Sequence, residues 1–244
     1  MGVFYAFCRV IDDIADSPGL AVEDRISLLA HWRSLVAQKV DPEDGIECEL
    51  AELLHRYSIK PETLDDIISG VEMDLTPRLF QSREDLIRYC YHVASAVGLV
   101  SIEIFGYQNP DTRIYAEKLG YALQWTNIMR DVGEDAGAGR IYLPLEDLDQ
   151  FGIAPKSLMN GNFDPEKFRD LMELEASVAR RFYNEAAAAL PEEDRASMRS
   201  AELMHRIYLG IFHRMEEDGF QVFQKHYHLN RFRMLGEMLW ARFL

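Results

Sequence analysis

The chain is poor in features that would place it in several common classes. It has only three cysteines, Cys8, Cys48 and Cys90, in 244 residues, and their spacing matches no zinc motif. An odd, scattered set makes no disulfide framework and fits reduced thiols in a cytoplasmic protein. Positive charge is scarce: 26 Lys and Arg stand against 41 Asp and Glu, giving a net charge of −15. That balance argues against a nucleic-acid partner. No apolar run approaches the roughly 20 residues needed to span a bilayer. The start carries no basic segment of the secretory-signal type, so no signal peptide is expected. Strand-type alternation is rare, and no low-complexity linker divides the chain.

What remains is helical periodicity almost throughout, which predicts one all-α domain over residues 1–244. A first helix is expected from Val3 to Asp16, ending at "SPG". A second carries Leu29, Trp32 and Val36, and a third Leu50, Leu53 and Leu54. Pro61 suits the first turn of a fourth. Ser82 and Asp85 resemble a capping box, opening a long apolar helix to Tyr107. Another runs from "NPD" to Val132, followed by a loop through "IYLP". Long helices are expected over Pro165–Leu190 and Glu193–Lys225, with a last one beginning near Leu229.

Two acidic stripes stand out. Asp12 and Asp16 are four apart and share a helix face, within the otherwise apolar "FCRVIDDIAD". Arg9 lies one turn earlier. Asn127, Asp131 and Asp135 repeat at intervals of four, with Gln124 one turn before them. Facing each other, such stripes would form a cup of hard oxygen donors suited to Mg²⁺ and substrate phosphates. Acidic stripes also decorate ordinary solvated helix faces, but these two sit among large apolar residues. They contain no Glu-x-x-His pair of the diiron type, and "AGAGR" lacks the Lys-Ser/Thr of a phosphate-binding loop.

The segments "YAFCRVIDDIAD" and "QWTNIMRDVGEDAGAGRIYLP" resemble the two aspartate-rich signatures of the squalene/phytoene synthase family, the head-to-head prenyl diphosphate synthases. "GVEMDL", "YCYHVASAVGLVSIEIFG" and "RIYLGIF" follow in similar order, so the resemblance covers most of the chain. It implies an isoprenoid-synthase bundle around a central apolar cavity, and condensation of two farnesyl diphosphates to a presqualene or squalene-type C30 product. Phytoene synthesis from geranylgeranyl diphosphate is the alternative. A non-catalytic relative, binding an isoprenoid or a partner subunit, is the competing reading.

By the same resemblance, Asp12 and Asp16 form one metal site, and Asn127, Asp131 and Asp135 the other. Mg²⁺ is the expected ion, with Mn²⁺ an alternative; NADPH use is left open. Arg9, Gln124, Arg130, Arg140 and Tyr142 are implied as diphosphate or flap contacts. Phe4, Ala94, Val97 and Gly98 are implied as substrate contacts, and Tyr91 and Tyr208 as residues near the reacting carbons. From the residues alone, an Arg9–Asp13 ion pair and core positions for both tyrosines are the alternatives. Family members carry a further helix before the first signature; its lack here would leave a cavity wall open to self-association or a partner. The amphipathic Arg231–Leu244 suits weak, peripheral membrane contact.

Overall fold

The computed structural model describes residues 1–227 apart from 18, 44 and 77. Its first helix, α1 (Gly2–Asp16), separates its two kinds of residue cleanly. Phe4, Phe7 and Ile11 are buried, whereas solvent reaches Asp12, Asp13 and Asp16. Spacings of three and four place the apolar residues on one stripe. That stripe packs on α2 (Val22–Val36), α3 (Gly45–Arg56) and α4 (Pro61–Met73). Phe7 meets Trp32 edge-on at 5.6 Å. Arg25 closes the end of α1, donating to the carbonyls of Ala15 at 2.9 Å and Ser17 at 2.5 Å. Carbonyls at a helix end otherwise lack partners.

The capping box of Ser82 and Asp85 opens α5 (Arg83–Cys90) as the sequence predicts. The long helix expected to follow is interrupted. A π-helical turn, Tyr91–Ser95, separates α5 from α6 (Ala96–Phe105). Two glycines let neighbouring helices press against this turn. A Cβ on Gly120 would lie 2.5 Å from the Ser95 Cα, and one on Gly70 3.0 Å from the His92 carbonyl carbon. Such turns recur at functional sites because they re-aim the side chains beside them. Gly106, at φ 81°, then ends α6 in a conformation that suits glycine.

The central helix is α7 (Thr112–Gly137), which runs past the expected end at Val132. Two short helices, α8 (Leu145–Gln150) and α9 (Pro155–Met159), follow the expected loop through "IYLP", in a stretch where the sequence singles out no element. They are too short to show helical periodicity in sequence. Next comes α10 (Pro165–Ala189), which packs extensively along α7. The last described helix, α11 (Arg199–Glu217), is shorter at both ends than the predicted Glu193–Lys225. Before it, buried Asp194 accepts from the Gln108 and Asn109 N–H groups and from the Thr112 hydroxyl. After it, Gly219 turns the chain, and Val222 rests against α7 where Gly133 leaves room. There is no strand among the described residues. The helix expected near Leu229 and the Arg231–Leu244 stretch lie outside them.

One apolar core gathers Phe7, Leu29, Trp32 and Ile68; a second gathers Trp125, Met129, Phe182 and Phe212. Full burial of such side chains contributes roughly 2–3 kcal/mol each. These cores hold α4, α6, α7 and α11 as fixed walls around the space between them.

Candidate active site

Two unlike cavities meet between these walls. The first, about 300 Å³, is lined by Cys8, Asp12 and Asp16 of α1, Ile67, Val71 and Asp74 around α4, and Tyr89 of α5. The second, about 430 Å³, is apolar and lies between the π turn with α6 on one side and α7 with α11 on the other. Val93, Val97 and Gln124 line both.

The acidic cavity is short of positive charge. Although solvent reaches Asp12, the surrounding walls strip part of its hydration and raise its carboxyl pKa; Asp16, Asp13 and Asp74 add to the rise, and Arg9 opposes it. Burial also raises Asp74, against the hydrogen bonds it accepts from the Tyr89 hydroxyl at 2.9 Å and the Tyr142 hydroxyl at 3.4 Å. Asp135 is pushed up to about 6, first by burial and then by Asp131, Glu134 and Asp74, with Arg140 opposing. Asp74 therefore lies within electrostatic reach of both acidic stripes. The Tyr142 hydroxyl is itself pushed up to about 12 by burial and by Asp74, so it stays a hydrogen-bond donor.

Asp74 and Tyr89 were not singled out from sequence. A signal was present: Asp74 follows Val71 by three and Ile67 by seven, which extends the cavity-facing stripe of α4. Most of the sequence-predicted residues fall into three groups. Asp12, Asp16 and Gln124 line the acidic cavity; Ala94, Val97, Gly98, Gln124, Asn127 and Tyr208 line the apolar one. Gly98 also lets α6 approach α7, since a Cβ there would lie 3.0 Å from the Ala116 carbonyl oxygen. Arg130, Asp131, Asp135, Arg140 and Tyr142 form the adjoining edge. Arg130 grips both oxygens of Asp131 at 2.7 Å, and Arg140 stands 3.5 Å from Asp135.

Three residues lie elsewhere. Phe4 is 2 % exposed and stacks near Phe7 in the first core, so it lines neither cavity. Arg9 pairs with Asp13 at 2.8 Å on the outer face of α1, the alternative its i, i+4 spacing allows. Tyr91 turns toward Asp66 and His92, away from both cavities.

The acidic residues fit a divalent metal in chemistry. The ionised forms of Asp12, Asp74 and Asp135 are held at a cost, and the buried Asn127 Oδ1 has no hydrogen-bond partner, while its amide nitrogen donates to Gln124 Oε1 at 3.3 Å. Hard, under-compensated oxygens of this kind suit a hard cation. Among the described residues, however, no three His, Cys, Asp or Glu side chains are gathered closely enough to hold a metal ion. The resemblance assigns two carboxylates to each of two sites, Asp12 with Asp16 and Asp131 with Asp135, fewer than such a group requires. That arrangement suits an ion shared between one or two carboxylates and substrate phosphates. No described helix is long and apolar enough to cross a membrane.

Comparison with known proteins agrees with this geometry. The family model described as squalene/phytoene synthase matches residues 1–233. A phytoene synthase of Arthrospira platensis is 36 % identical over 88 % of this chain and 75 % of its own length. A 15-cis-phytoene synthase of Synechococcus elongatus is 32 % identical over 95 % of this chain and 79 % of its own length. Among solved structures, a dehydrosqualene synthase in complex with ligand superposes with a TM-score of 0.78 at 27 % identity, covering 98 % of this chain and 84 % of that one. The family in general depends on a divalent metal. With its acidic and apolar cavities joined at Gln124, the chain belongs to the squalene/phytoene synthase family, the prenyltransferases that join two prenyl diphosphates head to head.

Proposed function

We propose that the chain condenses two geranylgeranyl diphosphates in a Mg²⁺-dependent reaction, giving a C40 product of the phytoene type. The observation that carries this reading is the junction of the two cavities at Val93, Val97 and Gln124. A prenyl diphosphate has a charged head and a long apolar tail, and each cavity suits one of them. The apolar cavity follows the chain from Val93 to Phe105, a span of about 18 Å at the helical rise of about 1.5 Å per residue. That length suits a long tail, and the phytoene synthases among the relatives support the C20 substrate over the C15 substrate that the sequence placed first.

Asp12, Asp16, Asn127, Asp131 and Asp135 are the residues that would hold Mg²⁺, or Mn²⁺ in its place, with Asp74 beside them. Bound there, the ion would neutralise diphosphate charge and ease departure of the leaving group. Arg130 and Arg140 bring fixed positive charge to the same edge, each oriented by its carboxylate partner. The apolar walls keep water from the allylic cation left behind. Aromatic faces such as Tyr89 can stabilise cationic charge. Carbon 1 of one substrate then bonds to the double bond of the second. Ring closure yields a cyclopropylcarbinyl diphosphate, and the proton lost passes to a phenol or to the released diphosphate.

A second reading, two farnesyl diphosphates giving a C30 product, is favoured by the likeness to the dehydrosqualene synthase structure. Incubating the purified chain with Mg²⁺ and each substrate separately, then analysing the lipid extract, distinguishes the two. Faster formation of a C40 product supports the first reading, and faster formation of a C30 product the second. No coupled product from either substrate would overturn both.

A further inference from the structure

Behind the catalytic face, a separate charged cluster holds two buried carboxylates beside a partly exposed arginine. Glu175 of α10 is 0 % exposed and Asp147 of α8 is 3 % exposed. The Arg83 guanidinium of α5 donates to Asp147 Oδ1 at 2.6 Å, and the Trp125 indole N–H of α7 donates to Glu175 Oε2 at 3.0 Å. The other oxygen of each acid, Asp147 Oδ2 and Glu175 Oε1, lacks a donor among the remaining groups. These two carboxyl groups adjoin one another. Two ionised carboxylates side by side in such a place would be strongly unfavourable. A single proton resolves the conflict. With it on Glu175, that hydroxyl donates to Asp147, and the charges of Arg83 and Asp147 cancel.

The surroundings support the protonated form. Burial, and then the Asp147 charge, push the Glu175 carboxyl well above the usual carboxyl range, against the opposing effects of Arg83 and Trp125. Cys90 of α5 also faces the cluster, and burial keeps its thiol neutral.

The cluster is physically continuous with the catalytic edge. The Leu145 N–H donates to the Phe80 carbonyl at 2.8 Å, and the Glu146 N–H to the Gln81 carbonyl at 3.2 Å. The Arg83 N–H donates to Glu146 Oε1 at 2.6 Å. The segment 80–83 is thereby stitched to the start of α8. The Phe80 ring rests on Tyr89 at 5.2 Å and on Tyr142 at 5.9 Å, and both of these phenols donate to Asp74. On the other side, Trp125 is the chain neighbour of Gln124 at the cavity junction.

We propose that protonated Glu175, bonded to Asp147, is a positioning residue that holds the 138–144 loop, with Arg140 and Tyr142, closed against Asp74. Loss of the proton sets two carboxylates against one guanidinium, and the repulsion loosens α8 and the loop it anchors. This rests on the prenyltransferase reading only for its activity readout.

The test follows tryptophan fluorescence and kcat in the full chain as pH rises from neutral into the alkaline range. The wild type is expected to show a fluorescence step, with kcat falling roughly tenfold or more over the same interval, as when an aligned donor is lost. Glu175→Gln, which keeps a donor and an acceptor but has no proton to lose, should abolish both steps. Asp147→Asn, which leaves Arg83 facing Glu175 alone, should move both to lower pH. Trp125→Phe should remove the fluorescence step and keep the kcat step, moved to higher pH because Glu175 loses the donor that favours its ionised form. A wild type without a fluorescence step, a step retained in Glu175→Gln, or one unmoved in Asp147→Asn would overturn the proposal. So would a fluorescence step that survives Trp125→Phe, or one unaccompanied by a kcat step in an active chain. If no coupled product forms at all, the fluorescence results still decide whether the protonated pair exists.

Discussion

Replacing Asp135 by Asn should stabilise the free protein at neutral pH. The Asp135 carboxyl is pushed from 3.8 up to about 6 by burial and by neighbouring carboxylates. A shift of roughly two units at about 1.4 kcal/mol each makes ionised Asp135 unfavourable by up to about 3 kcal/mol. Its side chain is 16 % exposed, so solvent screens part of this and leaves about 1–3 kcal/mol. Because the folded protein holds this proton more tightly than the unfolded chain, wild-type stability falls as pH rises from about 4 to about 6, then levels off. Asp135→Asn lacks that fall. Denaturant unfolding across this range should show the two proteins converging in acid and separating by about 1–3 kcal/mol above the Asp135 pKa. At about 2–4 °C per kcal/mol for a chain of this size, the melting temperature should differ by roughly 2–12 °C. Mg²⁺ with inorganic diphosphate should then favour the wild type, since binding to the native state stabilises it by linkage. A variant no more stable than wild type at neutral pH, or a difference that does not vary with pH, would refute the reasoning.

Three further outcomes follow from the same geometry. Tyr89→Phe removes the 2.9 Å donor that lowers the Asp74 carboxyl pKa, so the acid limb of kcat/KM should move to higher pH; an unmoved limb would separate Asp74 ionisation from turnover. Phe105→Ala extends the apolar cavity at the α6 end remote from Gln124, so the rate ratio of C20 over C15 substrate should rise, and an unchanged ratio would remove Phe105 as the far wall. Gly120→Ala places a Cβ 2.5 Å from the Ser95 Cα, which should cost about 1–3 kcal/mol in chemical denaturation; wild-type stability would show that the π turn yields easily.

The sequence made the helices legible wherever apolar residues recur on one face over several turns, as in α1, α4 and α7. Boundaries at Ser82 and Pro61 were legible because a cap or a fixed φ acts locally. The π turn was not, because it depends on how closely Gly70 and Gly120 let other helices approach. The acidic stripes were visible as i, i+4 repeats, whereas Asp74 is single and gains its place only when α4 is packed beside α1. Arg9, Phe4 and Tyr91 show the converse limit. Each has the right residue type near a signature, but the rotation of its own helix directs it to an ion pair, a core or another contact. The buried Asp147–Glu175 pair joins residues 28 apart in sequence on separate helices, beyond the reach of any periodicity.

The most direct test of the account is turnover in Asp12→Asn and Asp131→Asn, one from each acidic stripe, at saturating Mg²⁺ and prenyl diphosphate. Asp12→Asn removes a carboxylate crowded by Asp16 and Asp13 and should keep a melting temperature at or above that of the wild type. Asp131→Asn loosens the two bonds from Arg130 and should stay folded with a somewhat lower one. Both should lose roughly 100-fold or more in kcat. Folded variants with turnover near that of the wild type would contradict the assignment of the acidic cavity and its edge as the site of reaction.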